Sequence, residues 1–150
     1  MIFKKILLPI DGSTNSEKVI KYAVAIAKQE GSEIFILNVV DSKRLTSVPE
    51  ETIENDEVDF DEHSSLITQK VADIIRESDL ETEFNIVTMT VEGHPVEAIQ
   101  KVAEKENVDL IIMTSSGKHI IDRFLLGSVT EKTIRISKVP VLMVPTCPNK

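Results

Sequence analysis

At 150 residues the chain is long enough to bury a sizeable core and short enough to be read as one domain, 1–150. Its 41% hydrophobic but only 4% aromatic content points to an aliphatic interior, as in parallel sheets covered on both faces. A net charge of −8 argues against nucleic acid and against an anionic membrane surface as partners, and the single cysteine, Cys147, excludes an internal disulfide.

The chain opens Met1-Ile2-Phe3-Lys4-Lys5 with no secretory h-region, and it contains no apolar run of about 18 residues, so a soluble cytoplasmic protein is expected. The first strand is expected from Ile2 to Pro9, where proline lacks the N–H a ladder needs. Asp11-Gly12-Ser13 reads as a turn, with Thr14 or Ser16 as N-cap and Glu17 completing a capping box from Thr14. Val19, Ile20, Ala23, Ile26 and Ala27 recur at helical spacing, and Gly31 ends that helix. Ile34 to Val40 forms the second strand, closed by Asp41. Apolar periodicity then disappears from 41 to 62. Glu50, Glu51, Glu54, Asp56, Glu57, Asp59, Asp61 and Glu62 make an acidic block that self-repels and reads as a solvated, mobile surface loop. Its carboxylates lack the spacing and the glycine of an EF-hand. Leu66, Ile67, Val71, Ile74 and Ile75 mark a second helix, and Thr82 to Val91 a third strand at a sheet edge. Gly93-His94-Pro95 is a turn that starts a third helix through Val96, Ile99, Val102 and Ala103 to Asn107. Leu110 to Met113 is the fourth strand. Thr114, Ser115, Ser116 and Gly117 follow it, Gly127 and Ser128 open a fourth helix ending at Ser137, and Val141 to Val144 is the fifth strand. The tail, 146–150, is expected to fray.

Strict alternation of strand and helix predicts a three-layer α/β/α architecture around a five-stranded parallel sheet with right-handed crossovers. For strand order 3-2-1-4-5, a ligand site lies beyond the carboxyl ends of the first and fourth strands, where the order reverses. Pro9-Ile10-Asp11 follows one of these strands and Met113-Thr114 to Gly117 the other. Gly117, Gly127 and the amides of Ser128 and Val129 suit phosphate groups, and Lys118 and Arg123 could add positive charge. Asp11 can accept from a ribose hydroxyl or an adenine amino group. Val39 offers backbone contacts and an apolar wall to a base. Neither the P-loop run nor the G-x-G-x-x-G fingerprint occurs. Plainer readings stand beside these: Asp11-Gly12-Ser13 as a strand-to-helix turn, and Lys118 and Arg123 as solvated charge, Arg123 paired with Asp122. His63, His94 and His119 are scattered without a second ligand at zinc spacing, Met89, Met113 and Met143 read as core or interface filler, and Cys147 as incidental.

Leu8-Pro9-Ile10-Asp11-Gly12-Ser13, Gly93-His94-Pro95-Val96-Glu97-Ala98-Ile99, and the run from Asp109 through Gly127-Ser128-Val129-Thr130-Glu131-Lys132 to Val144 together resemble the universal stress protein family. The resemblance spans the chain apart from 41–62. The family signature is G-2x-G-9x-G-(S/T). Gly117, nine residues, Gly127 and Ser128 match it, whereas Thr114 stands at the first glycine and Ser116 where a histidine often precedes the second. The resemblance implies an adenine nucleotide alpha hydrolase-like, Rossmann-like fold and a homodimer, in a group that divides into ATP binders and non-binders. The matching positions for ATP or AMP, with or without magnesium, are Pro9, Ile10 and Asp11 near the adenosine, Val39 at the base and Met113 beside the ribose. Thr114 stands beside Met113, and Gly117, Lys118, Gly127, Ser128 and Val129 would take the phosphates. A threonine at position 114 weakens binding if the backbone there needs positive φ. If the backbone is extended, its hydroxyl is available to the ribose. The edge strand Val141, Leu142, Met143 and Val144 would be covered by the same strand of a second copy. Asp11 is the one acidic residue placed at the site and is already used for adenosine, so a binding or signalling role with at most slow hydrolysis is expected. The alternatives are a nucleotide-free interaction module, with Thr114 closing the pocket and the acidic block docking an unknown protein partner, and a slow ATP hydrolase.

Overall fold

The computed structural model describes residues 2–11, 16–41, 65–115 and 126–145. In chain order these form β1 (Lys5–Ile10), α1 (Ser16–Glu30), β2 (Glu33–Asp41), α2 (65–78), β3 (Asn85–Gly93), α3 (Pro95–Lys105), β4 (Leu110–Thr114), α4 (Ser128–Ile136) and β5 (Val141–Val144). All strands are parallel, in the order β3-β2-β1-β4-β5. Thr14, the acidic residues from Glu50 to Glu62, His63, His119 and the tail with Cys147 lie outside the described residues. Among the described residues no helix is long and apolar enough to cross a membrane.

Strand alternation divides the core in two. Ile6, Leu8 and Ile10 of β1 join Ile34, Ile36, Leu110, Ile112 and Val144 under α1 and α2, which contribute Val19, Ile20, Ala23, Ala27, Val71, Ala72 and Ile75. Leu7, Phe35, Leu37, Ile111 and Met113 point the other way, against Ile99, Val102 and Ala103 of α3, with Val129 of α4 packed at the margin. The central strands are therefore apolar on both faces, which explains why their sequences run as continuous Ile and Leu rather than alternating.

The helix ends follow local chemistry. Gly31 takes φ 69° and returns its N–H to the carbonyl of Ala27 at 2.8 Å, a left-handed stop that glycine adopts without penalty. At the end of α3, Asn107 does the same job at φ 55°. Its N–H reaches Glu104 (3.3 Å) and that of Val108 reaches Ala103 (2.9 Å), a Schellman closure. His94 is the N-cap of α3 and Pro95 its first residue.

The strand boundaries differ from the sequence expectation by up to three residues, and the differences in the first and third strands have a local cause. The third strand starts at Asn85, not Thr82, because Asp79 captures the intervening residues. Its carboxylate accepts from Thr82 Oγ1 (2.8 Å) and from the Glu81 N–H (3.0 Å), and Lys28 Nζ lies 2.7 Å away. The first strand runs from Lys5 through Pro9 to Ile10. Proline is tolerated there because of the side its nitrogen faces, and that side bears on the site.

Candidate functional site

β1 and β4 are neighbours whose successors lie on opposite sides, β2 beyond one and β5 beyond the other. This is the reversal point at which open α/β sheets admit ligands. The carbonyl of Lys4 accepts from Glu33 at β2 (2.8 Å), and that of Lys5 accepts from Asp109 on the β4 side (2.9 Å). Alternation along the strand then turns the backbone groups of Leu7 and Pro9 toward β4. Pairing of β1 with β2 continues from Lys5↔Glu33 to Ile10↔Asn38, whereas pairing with β4 stops after Ile6↔Leu110 and Leu7↔Ile111. Pro9 is where the next donor toward β4 would stand, and it has none. The proline thus leaves the β2 ladder intact and ends the β1–β4 ladder short of the strands' carboxyl ends.

The other wall comes from α4. Its N-cap, Gly127, is buried, with φ −62° and ψ 149°, angles open to any residue, and among the described residues no side chain caps the helix. The Gly127 N–H donates to the carbonyl of Ser115 (2.8 Å), and the Ser115 N–H donates to that of Val144 (2.9 Å). Thr130 Oγ1 donates to the carbonyl of Thr114 (2.8 Å). The first turn of α4 is therefore bound to the end of β4. Ser128, exposed, and Val129, half-buried, begin the helix with amides that have no intrahelical acceptor, the feature that attracts anions to helix starts.

The structure brings several of the sequence-derived residues together and separates others. Val39 at the end of β2, buried Met113 on β4 and Val129 on α4 all pack against the core cluster on the α3 face. Pro9 is half-buried between Leu8 and Ile10, and Asp11 is exposed just past β1. The side chain of Ile10, 8% exposed, belongs to the opposite core, and its backbone is in register with Asn38 of β2. Thr114 is the last residue of β4, in register with Val144. Asn107 alone among described non-glycine residues has positive φ, so the backbone at Thr114 is an ordinary extended one. Val144 and Ile112 both face α1 and α2, and alternation puts the Thr114 side chain on that face too, away from Met113 and Val129. Its backbone, not its hydroxyl, borders the carboxyl ends of β1 and β4. Gly117, Lys118 and Arg123 lie outside the described residues. Thr130 was not singled out from the sequence. A small hydroxyl residue in the first turn of a helix gives no signal of its own, and its partner is a backbone carbonyl 16 residues earlier.

Residues 2–145 match the universal stress protein family. The chain belongs to that family. It is 34% identical over 146 residues to universal stress protein MJ0531 of Methanocaldococcus jannaschii, a match covering 95% of this chain and 82% of that one. Protein MJ0577 of the same organism is 31% identical over 155 residues, covering 96% of each chain. Its solved structure superposes with a TM-score of 0.80 over 96% of each chain, at 36% identity. A universal stress protein solved in complex with cAMP shares the fold, with a TM-score of 0.71 and 23% identity over 97% of this chain and 99% of that one.

Proposed function

We propose that this universal stress protein binds an adenine nucleotide, ATP or AMP, at the carboxyl ends of β1 and β4, and acts as a homodimeric stress-response or signalling protein with little or no catalysis. The observation that carries the reading is the coincidence of two features at the reversal point of the sheet. Pairing between β1 and β4 stops there, and the uncapped first turn of α4 is held at the rim. In this reading Pro9, Ile10 and Asp11 border the adenosine, Val39 faces the base and Met113 lies by the ribose with the Thr114 backbone. Gly127, Ser128 and Val129 receive the phosphates, joined by Gly117 and Lys118. The extended backbone at Thr114 supports a site that does not depend on glycine there. A relative of the same fold in complex with cAMP supports the choice of an adenine nucleotide.

The homodimer reading rests on β5. Val141, Leu142 and Met143 are only half-buried on this edge strand, and Ile134 and Ile136 of the adjacent helix are 41% and 54% exposed. A second copy of the same strand would cover them. A cytoplasmic location is in keeping with the lone cysteine. Isothermal titration of nucleotide-stripped protein with ATP, in parallel with and without magnesium, tests the binding reading. Saturable heat at micromolar ligand is expected, and no heat at high micromolar protein refutes it. Sedimentation velocity tests the dimer, with a single monomeric species as the refuting result.

A further inference from the structure

Thr130 lies in the first turn of α4 and is 4% exposed, with its hydroxyl committed to the carbonyl of Thr114 at 2.8 Å. A second bond, from the Gly127 N–H to Ser115, holds the same helix end at a different point. One attachment would leave the helix end a pivot, and two define both its position and its roll. The amides of Ser128 and Val129 can serve a phosphate only if their N–H directions converge on it, since a hydrogen bond weakens steeply with misalignment. We propose that Thr130 is a positioning residue for the phosphate end of the ligand. It sets the roll of α4, and so the reach of the Ser128 and Val129 amides from the adenosine wall of Pro9, Val39 and Met113. The proposal rests on the nucleotide reading above. The Thr130 side chain touches no ligand, because its hydroxyl is buried and used on β4. Its effect should therefore scale with phosphate content and spare the nucleoside.

The test compares the full-length wild type with Thr130→Val, which keeps the shape and removes the donor, and Thr130→Ser, which keeps the donor. ATP and adenosine are titrated calorimetrically, and amide hydrogen exchange is followed at Gly127. Thr130→Val should weaken ATP about tenfold and adenosine by less than roughly twofold, as expected for losing aligned donors to a charged group. The Gly127 amide should exchange at least about tenfold faster in that variant, its bond to Ser115 having lost its companion. Thr130→Ser should restore both. Equal losses for ATP and adenosine overturn the proposal, as does a Thr130→Ser variant as weak as Thr130→Val. Unchanged exchange at Gly127 overturns it without reference to any ligand. A wild type that binds neither ATP nor adenosine refutes the nucleotide reading and the proposal together. A wild type that binds both, with Thr130→Val weakening them alike, refutes the proposal alone.

Discussion

Thr114→Gly places a glycine where the family resemblance expects one, and the structure predicts that it will harm the protein without helping the ligand. Thr114 is extended, pairs with Val144 and turns its side chain toward α1 and α2. Glycine there gains nothing from access to positive φ. It costs about 0.5–1 kcal/mol in backbone entropy relative to alanine. The loss of a β-branched side chain adds up to about 1 kcal/mol on the strand-propensity scale. The sum, about 0.5–2 kcal/mol, lowers the melting temperature by roughly 1–8 °C for a chain of this size. The bond from Thr130 survives because its acceptor is the backbone carbonyl of residue 114, so ATP affinity should stay within about threefold, or roughly 0.7 kcal/mol. Thermal unfolding by circular dichroism and calorimetric titration measure the two quantities. A variant at least as stable as the wild type that binds ATP about tenfold tighter, or that binds where the wild type does not, would refute the reasoning.

Pro9→Ala supplies an N–H facing β4, so the β1–β4 ladder should extend past Leu7 and Ile111 toward the strands' carboxyl ends. Stability should change by less than about 1 kcal/mol, since a new hydrogen bond worth about 0.5–1.5 kcal/mol offsets about 0.4–1 kcal/mol of lost proline rigidity. The residue 9 amide should be protected from exchange while ATP binding weakens, and a freely exchanging amide would show that proline does not end the ladder. Thr133 is fully buried and its hydroxyl has no partner among the described residues, so Thr133→Val should stabilise by about 1 kcal/mol; a lowered unfolding midpoint in urea would count against it. Asp79 has its pKa lowered from 3.8 to about 2, by Lys28 first and then by Thr82 and the Glu81 N–H. A depressed carboxylate favours the fold above the unfolded pKa and stops doing so as pH falls through the folded one. The melting-temperature gap between wild type and Asp79→Asn should therefore be fully open above about pH 4 and close toward pH 2, and a gap of equal size at pH 2 and pH 5 would contradict this.

The layers and the strand order were legible because their signals are repeated along the chain. Apolar runs such as Ile6-Leu7-Leu8 and Leu110-Ile111-Ile112 recur with helical patterns between them, and alternation leaves few topologies. Gly31 and Pro95 marked helix ends because the chemistry is local to one residue. Boundaries decided by a side chain reaching along the chain were not legible. Asp79 delays the third strand by holding Thr82, and nothing in Thr82 itself reveals that. Pro9 misled for a related reason: a missing N–H stops a strand only on the side it faces, and sidedness comes from register. That Pro9, Ile10 and Asp11 on one side and Met113 and Thr114 on the other fall at two neighbouring strand ends was legible from the strand order. Which of them share a face was not, and Ile10 and Thr114 turn their side chains from the face that Val39, Met113 and Val129 share.

The acidity of the chain, at −8, sits uneasily with a phosphate site only if cations must hold the phosphate. The rim built by the described residues does not work that way. Its anion-attracting groups are amides at the uncapped start of α4, which carry partial positive charge through the helix dipole without adding a formal charge. Such a dipole acts over about one helical turn, so the carboxylates elsewhere on the surface, screened beyond about 8 Å at physiological salt, weigh little against it. What the arrangement does require is alignment, because a dipole loses its hold on an anion when it turns away. In the proposed reading this makes the bonds to Ser115 and Thr114 as important as any group that would touch the ligand. In the same reading a threonine at position 114 is no obstacle, because the anchor for α4 is the carbonyl of Thr114, and every residue has one.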